Sequence, residues 1–460
     1  HARKELLLIQ PWISDFYITD CRTQPIGLCF IASAVKKYFP HISVAMLDCL
    51  SDTHKENIAW PNEFEYLKPY FGHPDSGPFS LFHKYYRFGM PIDSVITKLK
   101  ETSPFLIGIS SLFTPYYRDS LKMASLCKNV FPDIPVVLGG NHASMHPASL
   151  LEYKDPDTSK HVCDYVIRGE GETTLCLLIK ALHDNSDPLE IPNIIGRKNL
   201  DKSSSPLVFY SRDNIAMPDF SDLPKDKYRY EKKYSSVLFT SRSCPHRCSF
   251  CTVHEVFGTG YHAVPADRIV REIKRLWETG IRHFDIEDDN FTYDKERALA
   301  LLDGIIGLKI DASFSAMNGL SYLSLDKTIL SKMKSAGFSC VNLAFVSADA
   351  QLRCGLNRPH TRENFLEVID WANSAGLSVG VSCILGFPGQ TVAEIWKTLS
   401  FLAGIRCLIQ PSPFYFTPGS ELYRRTKDDP DIKLASKGKD PFLSARLTAM
   451  DMESEEFSRE

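Results

Sequence analysis

The chain has 460 residues, of which 43% are hydrophobic and 24% are charged, and its formal net charge is −3. This composition is typical of a folded protein with a large core, and the length favours about two to four domains. Because phosphate binding needs concentrated lysine and arginine, the near-neutral charge argues against a nucleic-acid partner. No apolar run reaches the roughly 20 residues that span a bilayer, so we expect a cytoplasmic protein without a transmembrane segment.

The 13 cysteines are odd in number and scattered among apolar neighbours. A disulfide framework normally pairs an even set of cysteines in a small secreted domain. The pattern therefore predicts reduced thiols, most of them small buried side chains.

The first part of the chain alternates predicted strands and helices. The predicted strands are 5–10, 43–49, 104–111, 134–140 and 163–172. This rhythm predicts an N-terminal doubly wound, Rossmann-like parallel sheet over residues 1–182. An aromatic-rich insertion occupies 51–103, and we expect its Tyr and Phe residues near 60–88 to line a ligand cleft.

A polar, proline-rich stretch at 183–234 predicts a linker or small subdomain, and a second alternating series follows it. Its predicted strands are 235–241, 282–289, 310–317, 340–347, 377–386 and 405–410. Six such units fall short of the eight that close a full barrel. We therefore predict a partial (β/α)6 barrel over 235–425 and a C-terminal extension over 426–460.

The segment "SRSCPHRCSFC", residues 241–251, directly follows the first strand of the second series. In parallel α/β folds, reactive groups collect on loops at the carboxyl ends of strands. Three thiols here allow a disulfide with a spare thiol, a zinc site completed by His246 or His254, or an iron–sulfur cluster. Structural zinc sites usually use two pairs of ligands, and the sequence has no second pair. A four-iron cluster held by Cys244, Cys248 and Cys251 would keep one iron open.

The Cys-x3-Cys-x2-Cys spacing after the first strand of a partial barrel resembles the radical S-adenosylmethionine (radical SAM) enzymes. The resemblance implies that the three cysteines are catalytic and hold a [4Fe–4S] cluster whose open iron binds S-adenosylmethionine (SAM). Electron transfer then gives a 5′-deoxyadenosyl radical, so that the cofactor carries the difficult chemistry. It also implies that Phe250, before the third cysteine, lies near adenine.

Two further segments resemble the same family. "FDIEDDNFT" (284–292) resembles its second-strand motif, which implies that Asp288, Asp289 and Asn290 bind SAM; a capping or ion-pair role is the alternative for either aspartate. "GFPG" (386–389) resembles its fifth-strand turn, which implies that Gly386, Pro388 and Gly389 approach the adenine. One departure occurs at 345–348, where Phe-Val-Ser-Ala replaces the usual Ile-Glu-Ser-Gly, so this chain lacks the glutamate that the family has there.

The strand-end loops of the first part resemble, in this order, the cobalamin-binding domain of one radical SAM branch, the class B methylase-like branch. The loops read "TQPIGLCFIAS", "GISS", "LGGNHAS" and "IRGEGE". The resemblance implies cobalamin contacts at Pro25, Gly27, Ser110, Ser111, Gly139, Gly140, Asn141, His142, Gly169 and Glu170. The Asp-x-His-x-x-Gly motif that supplies a cobalt ligand in many such domains is incomplete, because "DTHKEN" has Asn57 in place of glycine.

Together these resemblances cover about 1–425 and predict a radical SAM enzyme that uses a [4Fe–4S] cluster and cobalamin to methylate an unactivated carbon. Its substrate would be a small molecule or a lipid, and its electron donor a flavodoxin or ferredoxin. The alternatives are a cyclisation, ring-rearrangement or carbon–carbon coupling reaction, with or without cobalamin, and a non-catalytic cluster- or cobalamin-binding sensor. The sequence identifies neither the substrate nor the oligomeric state.

Overall fold

The computed structural model describes residues 4–17, 24–71, 82–212, 216–358 and 360–458. The chain forms two compact units, His1–Lys227 with Glu255–Gly258, and Tyr228–His254 with Thr259–Glu460. Over the described ranges, no helix has both the length and the apolar character that crossing a membrane requires. The predicted domain boundaries after 182, 234 and 425 stay predictions.

The N-terminal unit is built on a six-stranded sheet. Its spatial order is Ser43–Asp48, Glu5–Gln10, Pro104–Ser110, Val136–Gly139, Tyr165–Ile167 and Ile194–Ile195. The first five strands are parallel and the last is antiparallel. This confirms the predicted doubly wound, Rossmann-like sheet. The strand order reverses between Glu5–Gln10 and Pro104–Ser110, and ligands of such sheets bind beyond the strand ends at this point.

Helices cover both faces of this sheet, which explains the unbroken apolar run of its first strand. Leu6 and Leu8 pack with the helices Ile26–Tyr38 and Gly171–Asp184. Leu7 and Ile9 face the opposite core. The helices contributing to that core are Ile92–Lys100, Tyr117–Val130, Asn141–Met145 and Pro147–Leu151.

The insertion at 51–103 helps to form a separate three-stranded antiparallel sheet. Its strands, in spatial order, are Ile13–Asp15, Tyr85–Phe88 and Lys55–Ile58, and a short helix spans Lys68–Phe71. The ring of Phe16 lies 5.4 Å from that of Phe64 and 4.8 Å from that of Tyr85. Phe64, Phe71, Tyr85 and Phe88 are at most 3% exposed. For these four residues the prediction that they line a cleft is wrong, because they form the core of this small sheet. Residues 72–81 of the insertion lie outside the described ranges.

The C-terminal unit contains six parallel strands in chain order. They are Lys233–Leu238, His283–Ile286, Ser313–Ser315, Cys340–Val346, Ser378–Leu385 and Leu408–Pro413. The first three and the last three form two ladders, and the first ladder also carries Arg229–Tyr230 at its edge. Parallel bridges from Phe314 to Phe338 and from Leu320 to Leu343 extend the pairing between them. The predicted partial (β/α)6 barrel is confirmed.

Helices separate these strands and begin at the barrel edge where the strands end. They span Val253–Phe257, Ala266–Glu278, Lys295–Leu308, Lys327–Ala336, Ala350–Gly355, Arg362–Ser374, Val392–Ala403 and Glu421–Thr426. Thr391 and Glu394 form a capping box at one of these starts, which fixes the direction in which the chain leaves the fifth strand. Two short antiparallel pairs, Ser241–Arg242 with His262–Ala263 and Lys433–Leu434 with Met452–Glu453, complete the described strands.

Candidate active site

The three predicted cluster cysteines lie on one loop after the strand Lys233–Leu238, and all three thiols are free. Each sulfur is close to an N–H donor. Asn290 Nδ2 donates to Cys244 Sγ at 3.7 Å, and Arg358 Nη1 donates to Cys248 Sγ at 3.4 Å. Cys251 Sγ accepts a hydrogen bond from a backbone N–H at Val253. Donors arranged around thiolates are typical of iron–sulfur sites, where they stabilise the charge on sulfur.

The thiols interact electrostatically with one another, which shows that they are neighbours. Burial, together with the charges of Cys248 and Cys244, raises the pKa of Cys251 to about 11, against the lowering effect of the hydrogen bond from Val253. Burial also raises the pKa of Cys244, whereas hydrogen bonds from His246 and Asn290 lower it. Solvent reaches Cys251, but the surrounding protein already limits the hydration of its thiolate.

The zinc alternative finds no support in the described part of the chain. There, no three His, Cys, Asp or Glu side chains, the three loop cysteines included, are placed to hold a single metal ion. His246 Nε2 lies 3.5 Å from Ser321 Oγ, and His254 Nε2 lies 2.6 Å from the His246 carbonyl oxygen. Three thiols without a completing histidine fit a polynuclear cluster, in which each sulfur binds its own iron.

The two predicted aspartates of the second strand end differ in their surroundings. Asp288 is 3% exposed, and its carboxylate accepts hydrogen bonds from the Thr240 N–H at 2.6 Å and from Ser241 Oγ at 2.7 Å. Asp288 therefore connects the end of the second strand to the loop that follows the first strand. Asp289 is exposed and accepts one hydrogen bond from the Ser243 N–H at 3.1 Å. Of the two carboxylates, that of Asp289 is the more available to a ligand.

Asn290 is 1% exposed and directs its amide nitrogen to Cys244. Its Oδ1 atom is buried and has no hydrogen-bond partner among the described residues. A buried acceptor of this kind needs a donor, and an amino group bound beside the cysteine loop would supply one. The predicted contact between Asn290 and the amino group of SAM fits this geometry.

The fifth-strand turn lies beside the cysteine loop. The ring of Phe250 is 5.8 Å from that of Phe387, which follows Gly386 in the turn. Gly386 and Gly389 have φ values of +81° and +74°, which favour glycine, and Pro388 lies between them and after Phe387. Gln390 Oε1 closes the turn by accepting the N–H groups of Gly386 at 2.7 Å and of Phe387 at 3.2 Å. The structure thus brings together Phe250 and the residues predicted to approach adenine.

Arg358 is a site residue that the sequence analysis missed. It is 9% exposed, and its Nη2 donates to the Ala344 carbonyl at 2.7 Å while Nη1 reaches Cys248. Its position in "LNRPHT", far from the cysteines in sequence, gave no local signal. Only the packing of the fourth-strand loop against the cysteine loop reveals its role.

In the N-terminal unit, a pocket lies where the strand order reverses. Its lining includes Gln10, Trp12, Ser110, Leu112 and Phe113. Leu112 and Phe113 are 42% and 46% exposed, so they present apolar surface beyond the strand end. The sequence analysis missed both residues, although an apolar pair directly after a strand is a readable signal.

The predicted cobalamin contacts at the third and fourth strand ends lie together. The Ser111 N–H donates to the Gly139 carbonyl at 2.7 Å, and Ser111 Oγ is buried with no hydrogen-bond partner among the described residues. Gly140 has φ +124°, and a Cβ there would lie 2.6 Å from the Ser111 carbonyl oxygen. Asn141 begins the helix that follows. The unpaired Ser111 hydroxyl could hydrogen-bond to an amide, and the backbone at Gly140 has no side chain to block its approach. Both features fit a ligand with amide arms.

The remaining predicted cobalamin contacts differ in how accessible they are to a ligand. Pro25 and Gly27 lie at the start of the helix Ile26–Tyr38, and a Cβ on Gly27 would meet no atom within 4 Å. Gly169 donates its N–H to Ser144 Oγ at 2.8 Å, and Glu170 forms an ion pair with Arg212 at 2.6 Å. Gly27 is therefore open to a ligand, whereas the Glu170 carboxylate already has a cationic partner.

His142 is fully buried in the N-terminal unit. Its Nε2 lies 3.0 Å from Ser149 Oγ, and its ring lies 4.8 Å from that of Tyr117. Burial holds the pKa of His142 well below its usual range. These surroundings are those of a core histidine and give no support to a role as cobalt ligand.

Two family models match the chain. The Radical SAM superfamily model matches residues 238–402, and the B12 binding domain model matches residues 83–179. Radical SAM domains hold a [4Fe–4S] cluster and SAM, and B12-binding domains hold cobalamin. The two matches fall in the order in which the sequence analysis predicted these domains.

Among curated proteins, the chain is 28% identical to an uncharacterized methyltransferase of Pyrococcus horikoshii, over 66% of this chain and 65% of that protein. It is 26% identical to the cytidylyl-2-hydroxyethylphosphonate methyltransferase of Streptomyces wedmorensis, over 86% and 77%. It is 24% identical to the hopanoid C-3 methylase of Methylococcus capsulatus, over 63% and 54%. The matched region thus spans between about half and three quarters of the length of these relatives.

Two solved structures share the fold. The radical S-adenosylmethionine methyltransferase TsrM from Kitasatospora setae, with cobalamin and a [4Fe–4S] cluster bound, matches with a TM-score of 0.69 and 17% identity over 94% of this chain and 80% of that one. The cobalamin-dependent S-adenosylmethionine radical enzyme OxsB matches with a TM-score of 0.72 and 13% identity over 98% and 64%. With its B12-binding domain followed by a radical SAM domain, the chain belongs to the cobalamin-binding-domain branch of the radical SAM enzymes.

Proposed function

We propose that the protein is a cobalamin-dependent radical SAM methyltransferase that methylates an unactivated carbon. The observation that carries this proposal is the cysteine loop, in which Cys244, Cys248 and Cys251 each have an N–H donor and lie at the carboxyl end of the first barrel strand. In the same chain, the other unit matches a B12-binding domain. Methyltransferases among the relatives support the same reaction class.

When bound, the cluster and SAM supply a 5′-deoxyadenosyl radical, and cobalamin supplies the methyl group. The cysteine loop would hold the cluster, while Asp289 and Asn290 would accept hydrogen bonds from the amino group of SAM. Phe250 and the turn at 386–389 would form an apolar wall for adenine. In this arrangement the protein contributes orientation and exclusion of water.

In the N-terminal unit, Ser111, Gly140 and Asn141 would contact the amide arms of the corrin, and Leu112 and Phe113 its flat face. The corrin would supply a hydrogen-bond partner for the buried Ser111 hydroxyl, and it would shield the exposed side chains of Leu112 and Phe113 from water. We also place the enzyme in the cytoplasm, with flavodoxin or ferredoxin as electron donor, because free thiols and reductive chemistry need a reducing compartment.

A cyclase reaction is the second candidate. The chain is 24% identical to the anaerobic magnesium-protoporphyrin IX monomethyl ester cyclase of Rubrivivax gelatinosus over 66% of its length. A cyclase consumes SAM only for the radical, whereas a methylase also uses it as methyl donor. The by-products therefore separate the two reactions.

The test uses protein reconstituted anaerobically with iron, sulfide and cobalamin, then supplied with SAM and a reductant. A methyltransferase forms 5′-deoxyadenosine together with S-adenosylhomocysteine, and its substrate gains the mass of one CH2. Deoxyadenosine without S-adenosylhomocysteine would favour the cyclase reaction. A protein that forms neither product although its cluster is intact would be a sensor.

Replacing any one of the three cysteines tests the cluster assignment. We expect Cys244→Ala, Cys248→Ala and Cys251→Ala each to lose the iron and SAM cleavage, while the circular dichroism of the chain is retained. Cys354→Ala is the matched control, since Cys354 is a free, exposed cysteine outside the loop. Full cleavage of SAM by any of the three loop variants would contradict the assignment.

A further inference from the structure

The inside of the barrel is lined by polar side chains. Small barrels usually fill this space with bulky branched apolar residues. Here alternate strand positions, or positions just beyond the strand ends, carry carboxylates, amides and hydroxyls: Asp285, Glu287, Ser315, Asn342, Ser382 and Gln410. We call this set the barrel lumen. The intervening positions, such as Phe284, Ile286 and Val381, are apolar and at most 1% exposed, so they form the outer layer.

Contacts between neighbouring strands show that the lumen residues share one face. Ser315 Oγ donates to Asp285 Oδ1 at 2.5 Å, and Gln410 Nε2 donates to Asn342 Oδ1 at 3.4 Å. Asn342 Nδ2 also lies 3.3 Å from the sulfur of Met317, which continues from the third strand. The lining is therefore continuous from the second strand to the sixth.

Gly380 of the fifth strand allows the two amides to meet. A Cβ at this position would lie 2.4 Å from Asn342 Oδ1 and 2.9 Å from Gln410 Nε2. Because Gly380 has no side chain, the amide groups of Asn342 and Gln410 occupy the inside of the barrel at this point. Asp285, Glu287 and Gln410 stay partly exposed, and Met317 is 48% exposed, whereas side chains inside a filled barrel are buried.

The lumen holds two carboxyl groups, Asp285 and Glu287. Burial lowers the pKa of the neighbouring His283, so its imidazole is a neutral neighbour of Asp285. Asp285 lies on the second strand and Glu287 just beyond its end, two positions later, and their side chains are hydrogen-bonded. Burial, together with the hydrogen bond and the charge of Asp285, raises the pKa of Glu287 to about 8. No lysine or arginine among the described residues forms an ion pair with either carboxylate. A cation bound beside two such carboxyl groups would favour the ionised form of both.

The lumen lies directly below the cysteine loop. The Glu287 N–H donates to the Leu238 carbonyl at 2.9 Å, at the end of the strand that leads into the loop. Three residues after Glu287, Asn290 donates to Cys244. A molecule in the lumen would therefore lie next to the proposed site of radical formation.

We propose that the lumen binds the substrate that accepts the methyl group, and that this substrate is a hydrophilic molecule with a cationic amino or amidine group. This inference rests on the proposed function. Asp285 and Glu287 would receive the cationic group through charge-assisted hydrogen bonds. Asn342, Ser382 and Gln410 would bond its neutral polar groups. An apolar lipid would remove water from these carboxyl, amide and hydroxyl groups without hydrogen-bonding to them, which is costly.

The experiment compares hexamethylenediamine with hexanediol, two probes of equal chain length, on the reconstituted protein under anaerobic conditions. Ligand-observed NMR measures both dissociation constants. We expect the diamine to bind at least about tenfold more tightly than the diol. Equal affinity, or tighter binding of the diol or of decanol, would overturn the inference.

Substitutions of the two lumen carboxyl groups test whether the diamine binds there. We expect Glu287→Gln to reduce diamine binding by about tenfold and to leave the diol unchanged. Glu278→Gln is the matched control, because Glu278 is exposed at the end of the helix Ala266–Glu278. Asp285→Asn serves as the second lumen variant, and circular dichroism verifies the fold of each. A diamine preference that neither lumen variant changes would also overturn the inference.

SAM cleavage measured on the same samples separates this inference from the proposed function. Cleavage without a diamine preference overturns the lumen assignment alone. A diamine preference in a protein that holds its cluster but never cleaves SAM overturns the proposed function and, with it, the role of the lumen as substrate site.

Discussion

Nitrogen donors surround the sulfur atoms of the cysteine loop, and they come from distant parts of the sequence. Asn290 follows the second strand, and Arg358 lies beyond the fourth. Hydrogen bonds and positive charge near cluster sulfurs stabilise the reduced, more negative state of a cluster. At the scale of single residues, these two side chains are therefore expected to control how readily the cluster accepts an electron.

Replacing Arg358 tests this role. Arg358→Gln removes a positive charge beside Cys248, so we expect the reduction potential of the cluster to fall. Potentiometric titration followed by electron paramagnetic resonance measures the change. Arg362→Gln is the control, since Arg362 is exposed and lies over the ring of Phe401 on the outside of the barrel. An unchanged potential in an Arg358→Gln protein with full iron content would contradict the prediction.

Some residue-level predictions concerned side chains whose surroundings only the structure revealed. Sequence reasoning identified the three cysteines because they lie within eight consecutive residues and have a characteristic spacing. It could not separate Asp288 from Asp289, since only the structure shows that Thr240 and Ser241 occupy the Asp288 carboxylate. In the same way, His142 follows a strand end in the sequence but turns into the core.

At the scale of elements, the strand-end turns of the N-terminal sheet determine where a ligand can approach. The turn after Val136–Gly139 needs Gly140, because φ is +124° and a Cβ would contact the Ser111 carbonyl at 2.6 Å. The start of the helix Ile26–Tyr38 differs, since a Cβ on Gly27 meets nothing within 4 Å. The two glycines therefore serve different purposes.

Two alanine substitutions distinguish these purposes. We expect Gly140→Ala to lower the free energy of unfolding by about 1–3 kcal/mol, because of strained φ and a backbone clash. Gly27→Ala should leave stability unchanged or raise it by up to about 1 kcal/mol, because alanine is the better helix former. Chemical denaturation measures both. If Gly27 contacts the corrin, as the sequence resemblance predicts, Gly27→Ala should weaken cobalamin binding in a protein of unchanged stability. Unaltered binding would contradict that contact.

The boundaries of the elements illustrate the limits of local patterns. The strand predicted over 163–172 is only Tyr165–Ile167, because the chain turns at Gly169 with φ +71° and a helix begins at Gly171. The strand pairs around the insertion were not predicted, because their short segments lack a clear alternation. Antiparallel pairing between distant segments depends on contacts that no single window of sequence contains.

At the scale of the whole molecule, the polar stretch at 183–234 belongs largely to the first unit. Ile194–Ile195 adds a strand to its sheet, and Asp219 pairs with Lys36 at 2.8 Å. The two compact units meet in sequence at Lys227 and Tyr228. We therefore propose that the functional domain boundary lies near 227 rather than at the end of the stretch.

Limited digestion with trypsin tests this boundary. Exposed basic residues cluster at 225–233, where the chain passes from one compact unit to the other. Exposed segments between domains are cut first. We expect the first stable fragments to end within 225–233, as mass spectrometry would show. First cleavage at Arg197, Lys198 or Lys202 instead would contradict this boundary and favour a linker in the earlier part of the stretch.

The sequence by itself determined the order of the two domains, the parallel strands of each and the cysteine loop, because these depend on local periodicity and on short, fixed spacings. The tertiary structure alone decided which side chains surround that loop, that Asp288 is bound to the protein and that His142 is buried. It also revealed the polar lumen. These features arise where strands distant in sequence place their ends and alternate side chains together, and that juxtaposition leaves no trace in a local pattern.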